Sequence, residues 1–221
     1  MASGMQWLDQ GACTALEHPP LGRVAAALGP FLKGLRSHSL PRVWDEGNAI
    51  LYADGKYWQN LTLARLGNLP FLMLGSVVVF LWGRRWFSTS AGLWAVLLFT
   101  SLPPILGHAG LATLDMACAA TMAAALYQLV RWLENPAWGR SVVFGGALGL
   151  AFLSRFSSLA FLAACGAGAV ICLAAVQPRT LFASGRLSLQ PDSSFRASGI
   201  APVARSPGGQ FAASESGLSR L

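Results

Sequence analysis

In the stretch Gly107 to Trp132, GHAGLATLDMACAATMAAALYQLVRW, an aspartate at position 115 interrupts what otherwise reads as a membrane helix. An ionised carboxylate in hydrocarbon costs at least about 2.5 kcal/mol even on the most lenient insertion scale, so it is kept where it faces a protein interior or water. A second ionisable residue, Arg155, stands in SRFS (Ser154 to Ser157), the obvious break in the apolar run from Ser141 to Val176. A carboxylate can accept a proton or hold a cation, and a guanidinium can neutralise a bound anion. Chemistry is therefore expected wherever the fold places Asp115 and Arg155.

The elements that must position them are membrane helices. Apolar residues make up 54% of the chain and charged residues 11%, the mean hydropathy is +0.50, and the charges avoid long blocks, a pattern that excludes an ordinary soluble domain. The net charge of +7 comes from dispersed Lys and Arg, several at the ends of apolar stretches, which points to membrane orientation and not to nucleic acid. The four cysteines, Cys13, Cys118, Cys165 and Cys172, lack metal-type spacing. They read as small apolar filler.

The chain divides into three parts. Residues 1–65 are mixed and polar, with turn signals at His18-Pro19-Pro20, Pro30, Pro41 and Asp54-Gly55 and one short amphipathic helix predicted from Leu21 to Leu35. This part can lie on a membrane but is not expected to cross it. It also lacks a basic segment followed by an apolar one, so no cleavable signal peptide is read here. Residues 66–176 are almost wholly apolar and break at RRWFS, PPILGHAG, RWLENPAWGR and SRFS. Spans are predicted at about 66–82, 90–106, 111–133, 141–154 and 156–176, since about 20 residues cross a bilayer. Residues 177–221, rich in Ser, Gly, Pro and Arg, are expected to be a disordered tail. The predicted fold is all-α: a polytopic transmembrane bundle of about five spans with an extracytoplasmic N-terminal region.

With five spans, the Arg84/Arg85 loop, the Arg131 to Arg140 loop and the Arg179 exit fall on one side, which the positive-inside rule makes cytoplasmic. His18, His108, Asp115 and Arg155 then approach the opposite face, and Asp115 lies about one turn below it on an alanine-rich helix that neighbours can approach closely. Asp115 is expected to face a cleft.

At these residues the sequence resembles a known family. HPPLGR (His18 to Arg23), LARLGNLPF (Leu63 to Phe71), HAGLATLDM (His108 to Met116) and GLAFLSRFSSLAF (Gly149 to Phe161) are similar to segments of the polyprenyl-phosphate-sugar glycosyltransferases of the C superfamily. Within it, they resemble the bacterial relatives of protein O-mannosyltransferases and of lipid A aminoarabinose transferase. The likeness runs from about Met5 to Val176. It implies an enzyme of the bacterial inner membrane that transfers a sugar such as mannose from a polyprenyl-phosphate donor to a protein or lipid hydroxyl at the outer face, with inversion. Its partners would be the bilayer, the lipid-linked sugar and the acceptor.

The resemblance also marks a departure. Relatives carry an acidic pair at the end of a first helix, where an aspartate is the presumed base, and MASGMQWL resembles the segment just after that pair. The pair, the first helix and the family's later helices are thus expected to be absent, which makes a truncated, catalytically incompetent chain the alternative reading. Asp45-Glu46 lies too deep in the outer region to replace the pair.

In this chemistry the acceptor hydroxyl loses a proton to a carboxylate as it attacks the anomeric carbon. The departing phosphate already has a low pKa, so it needs only cationic or metal stabilisation. By resemblance, Arg155 meets the donor phosphate, Asp115 organises the site or a metal, and His18 lies near the acceptor or the phosphate. Each also has a plainer reading: Arg155 as a snorkelling residue ending a span, Asp115 as a packing carboxylate paired with an arginine, His18 as a loop cap. His108, beside Gly107, reads as a lone interfacial histidine without a role. A divalent metal is left open, because one carboxylate does not make a metal site. A small transporter lined by Asp115 and Arg155 is the remaining reading, and the inverted hydropathy repeat that would mark one is not seen.

Overall fold

The computed structural model describes residues 1–11 and 19–176. The chain is an all-α membrane helix bundle, with no strand among the described residues. Cys13, His18 and the expected tail after residue 176 lie outside the described residues.

Where the sequence pattern predicts one helix in the first 65 residues, the chain forms four: α1 (Ala2–Gln10), α2 (Leu21–Leu32), α3 (Val43–Tyr52) and α4 (Tyr57–Leu66). The first three share a small apolar core with the segment after α2: Met5, Ala27, Leu35 and Ile50, against which Met1, Leu8, Phe31 and Ala53 pack. These helices are hard to read in the sequence because each runs only 9 to 12 residues, which gives few turns of apolar period. Gly67, at the end of α4, lies close against α2: a Cβ there would stand 2.1 Å from the Ala25 carbonyl oxygen of α2. Only glycine lets the two backbones meet so closely.

A single buried carboxylate organises the link between α2 and α3. Glu46 is fully buried and accepts hydrogen bonds from the Ser37 hydroxyl at 2.6 Å, the His38 amide at 2.8 Å and the Leu40 amide at 2.9 Å. Three donors on one carboxylate make a strong charge-assisted cluster. The Asp45-Glu46 pair is therefore split in role, with Asp45 exposed and Glu46 holding the loop.

The apolar segments fold as α5 (Leu69–Trp86), α6 (Thr89–Ser101), α7 (Pro103–Gly110), α8 (Asp115–Glu134), α9 (Trp138–Ser154) and α10 (Ser157–Val176). By length and composition, Tyr57–Trp86, which joins α4 to α5, and Asp115–Glu134 can cross a membrane. The α6–α7 pair can count as a third, bent by 64°. The bend falls where Pro103 and Pro104 open α7, because proline cannot continue the hydrogen bonding of a preceding helix. The 17-residue α9 and the stretch Ser157–Cys172 of α10 are shorter apolar helices.

Turns follow from local chemistry. Ser88 caps α6 by accepting from the Ala91 amide at 3.1 Å, which closes the tight α5–α6 hairpin. Arg84 and Arg85 sit in the last turn of α5 and Arg131 in that of α8, where the helix dipole favours cations. Arg85 pairs with Glu134, so α5 and α8 end together. Large apolar side chains such as Met73, Leu98, Val142, Phe161 and Ile171 point outward, which suits lipid and not water.

Candidate functional site

Asp115 is the first residue of α8. The sequence pattern places it a turn inside a helix starting near Leu111; in the structure the segment 111–114 is non-helical, and the carboxylate opens the helix. That position suits an anion, because the helix N-terminus is the positive end of the dipole. Arg155 lies in the break between α9 and α10 with extended backbone, φ −161° and ψ 133°. Its Nη1 donates to Asp115 Oδ1 at 3.2 Å. The two side chains are 42% and 46% exposed, so the pair faces an opening and not a sealed core.

A third group joins them. The bend before α7 brings His108, in that helix's last turn, to the carboxylate's other oxygen, with Nδ1 3.4 Å from Oδ2. Sequence reasoning assigns His108 no role, since nothing in its neighbours along the chain signals the partner. The available signal is Pro103-Pro104, which turns the preceding span aside. His18, the other sequence-predicted site residue, lies outside the described residues.

Buried polar contacts fix the backbones that carry these side chains. Directly before Arg155, the buried Ser154 hydroxyl meets the buried Thr121 hydroxyl of α8 at 2.9 Å. Directly after, the buried Ser158 hydroxyl lies 2.8 Å from the Ala151 carbonyl and 2.6 Å from that of Arg155. On the other side, Asn68 at the α4–α5 junction is fully buried. Its Nδ2 donates to the Leu111 carbonyl and, at 3.3 Å, to the Thr113 carbonyl. Gly22 of α2 faces the Leu114 side chain.

Segments from LGR, LARLGNLPF, HAGLATLDM and GLAFLSRFSSLAF thus converge at one end of the bundle. The basic cluster lies at the other: Arg85 meets Glu134, and Arg140 donates to the Arg131 carbonyl at 3.0 Å. The 20 residues of α8 separate the two ends by about 30 Å at 1.5 Å per residue.

Residues 59–186, more than half of the chain, match the family described as dolichyl-phosphate-mannose-protein mannosyltransferase. The chain belongs to this family. No curated protein and no solved structure matches it. It is thus a membrane-integral glycosyltransferase of the mannosyltransferase family, and the family implies a lipid-linked sugar donor. The mannosyltransferase match begins in α4 and includes Asn68, His108, Asp115 and Arg155. Among the described residues no group of three His, Cys, Asp or Glu side chains suited to a metal ion occurs; Asp115 and His108 make two.

Proposed function

We propose that this protein transfers a sugar such as mannose from a polyprenyl-phosphate donor to a hydroxyl of a protein or lipid acceptor, with inversion, on the extracytoplasmic face of the bacterial inner membrane. The observation that carries this reading is the half-exposed Asp115–Arg155 pair, set at the end of the bundle opposite Arg85, Arg131 and Arg140. At this exposure both side chains are open to a ligand. By the positive-inside rule, applied to the short loops at Arg84, Arg85, Arg131 and Arg140, that opposite end is cytoplasmic, and in this reading the pair faces outward.

In this reading the acceptor oxygen attacks the anomeric carbon, and the bond to the phosphate oxygen breaks with its electron pair left on the phosphate. Arg155 is the cation for that departing charge, and its remaining donors are available beyond the one given to Asp115. Asp115 has one oxygen turned to Arg155 and the other to His108. Its part is to hold these basic groups in place and, as the carboxylate of the site, to take the proton that the acceptor hydroxyl loses on attack.

Membranes carrying the full chain, supplied with radiolabelled polyprenyl-phosphate mannose, are expected to release polyprenyl phosphate as the label moves to an acceptor. Arg155→Ala should slow release about a hundredfold, the usual cost of removing one electrostatic stabiliser. Unchanged release by Arg155→Ala would remove that residue from the donor site. No release by the unmutated chain would overturn the transfer reading itself.

A further inference from the structure

We infer that Asn68 is a positioning residue for Asp115: its side-chain amide fastens the segment 111–113 to the α4–α5 junction and so sets where the carboxylate stands relative to Arg155. The observations lie outside the charged site itself. Asn68 is an uncharged residue with no side-chain exposure, 47 positions before Asp115 along the chain. Its NH2 group reaches two main-chain carbonyls, Leu111 and Thr113, both within four residues of Asp115 on the only stretch that links α7 to α8.

At its far end the linker is held by Leu114 beside Gly22 of α2, which leaves 111–113 to be fixed by Asn68. Residues 111–114 belong to neither helix, and Leu111 and the side chains of His108 and Asp115 are largely or half exposed. Without a clamp, a segment of four non-helical residues can rotate the first turn of α8, and a displacement of about 1 Å is enough to spoil a reacting geometry. Asn68 supplies two donors from one planar group, so it fixes direction as well as distance.

The amide's own oxygen points the same way. Asn68 Oδ1 is buried with no hydrogen-bond partner among the described residues. A buried acceptor left without a donor is a cost to the fold. The side chain is therefore retained for what its NH2 group does. An apolar residue of similar size would spare that cost and would lose the clamp. The arrangement also ties together two sequence motifs that local reading leaves separate, since Asn68 belongs to LARLGNLPF and its carbonyl partners to HAGLATLDM.

Asn68→Asp tests the clamp with the shape kept and the donor removed, and Asn68→Ala serves as a second variant should the acid fail to fold. In the full chain in lipid nanodiscs, hydrogen–deuterium exchange over residues 111–116 is expected to rise about tenfold or more while the exchange of α9 stays unchanged, and the thermal midpoint falls because two buried hydrogen bonds are lost. Unaltered exchange at 111–116 would overturn the clamp. The second measurement, which rests on the transferase reading, is binding of polyprenyl-phosphate mannose by Asn68→Asp, Asp115→Asn and the double variant. If Asn68 acts through Asp115, its substitution weakens binding about tenfold in the unmutated chain and adds almost nothing beside Asp115→Asn. Equal losses in both backgrounds would show a merely structural asparagine and sink the positioning role while leaving the transferase reading intact. Should the unmutated chain not bind the lipid, the transferase reading falls, and the exchange measurement alone decides on the clamp.

Discussion

Asp115 and Arg155 are each close to half exposed, so water screens their attraction and the pair contributes about 0–1 kcal/mol to the fold. The buried Thr121–Ser154 hydroxyl contact is the opposite case, worth about 1 kcal/mol as a buried hydrogen bond. Two variants should therefore separate function from stability. Asp115→Asn is expected to move the thermal midpoint of the purified chain by about 2 °C or less and to reduce sugar transfer sharply. Thr121→Val should lower the midpoint by about 2–4 °C with a smaller effect on transfer; intrinsic tryptophan fluorescence on heating reads both. Charged residues are the most legible part of the site, because an ionisable group in an apolar stretch announces itself. Asn68 is not legible: it is uncharged, and its partners are carbonyls that every residue carries. His108 escapes a sequence reading because its meeting with Asp115 depends on a bend.

At the scale of elements, the apolar segments are readable in the sequence by their composition, and the breaks predicted at 84–88, 131–140 and 154–157 meet helix ends, whereas 103–110, also read as a break, forms α7. The four N-terminal helices are less visible, since each runs only 9 to 12 residues and offers few turns of apolar period. Their loop 37–40 depends on Glu46, which makes a pH prediction possible. Burial alone would raise that carboxyl's pKa, but the Ser37 hydroxyl, the Leu40 and His38 amides and the nearby His38 together hold it below its ordinary value of 4.5. A carboxyl with a lower pKa in the folded than in the unfolded state contributes stability above the unfolded value, and that stability is lost as pH falls through the folded one. The N-terminal helices are thus expected to loosen as pH drops below about 4.5. Glu46→Gln should be less stable at pH 7 and should lose this acid-dependent step. Exchange over residues 36–42 between pH 7 and pH 3 is the measurement, and an identical acid response in Glu46→Gln would refute the assignment.

For the molecule as a whole, the proposed orientation rests on the short loops at Arg84, Arg85, Arg131 and Arg140, which the positive-inside rule assigns to the cytoplasm. With the four native cysteines replaced by alanine, a cysteine at the open position Gly107 is expected to react with an impermeant maleimide on intact cells. One at the open position Gly139 should react only after the membrane is breached. The reverse result would place the site in the cytoplasm. Between the site and those loops the polar contacts stop early. Thr121 lies six residues along α8 from Asp115, about 9 Å deeper at 1.5 Å per residue, and below it α8, α9 and α10 meet through Ala125, Ala151 and Leu162. The hydroxyl pair is therefore a floor beneath the charged site. In the transferase reading a phosphate drawn to Arg155 stops above that floor, so the donor's hydrocarbon tail need not follow its sugar into the bundle.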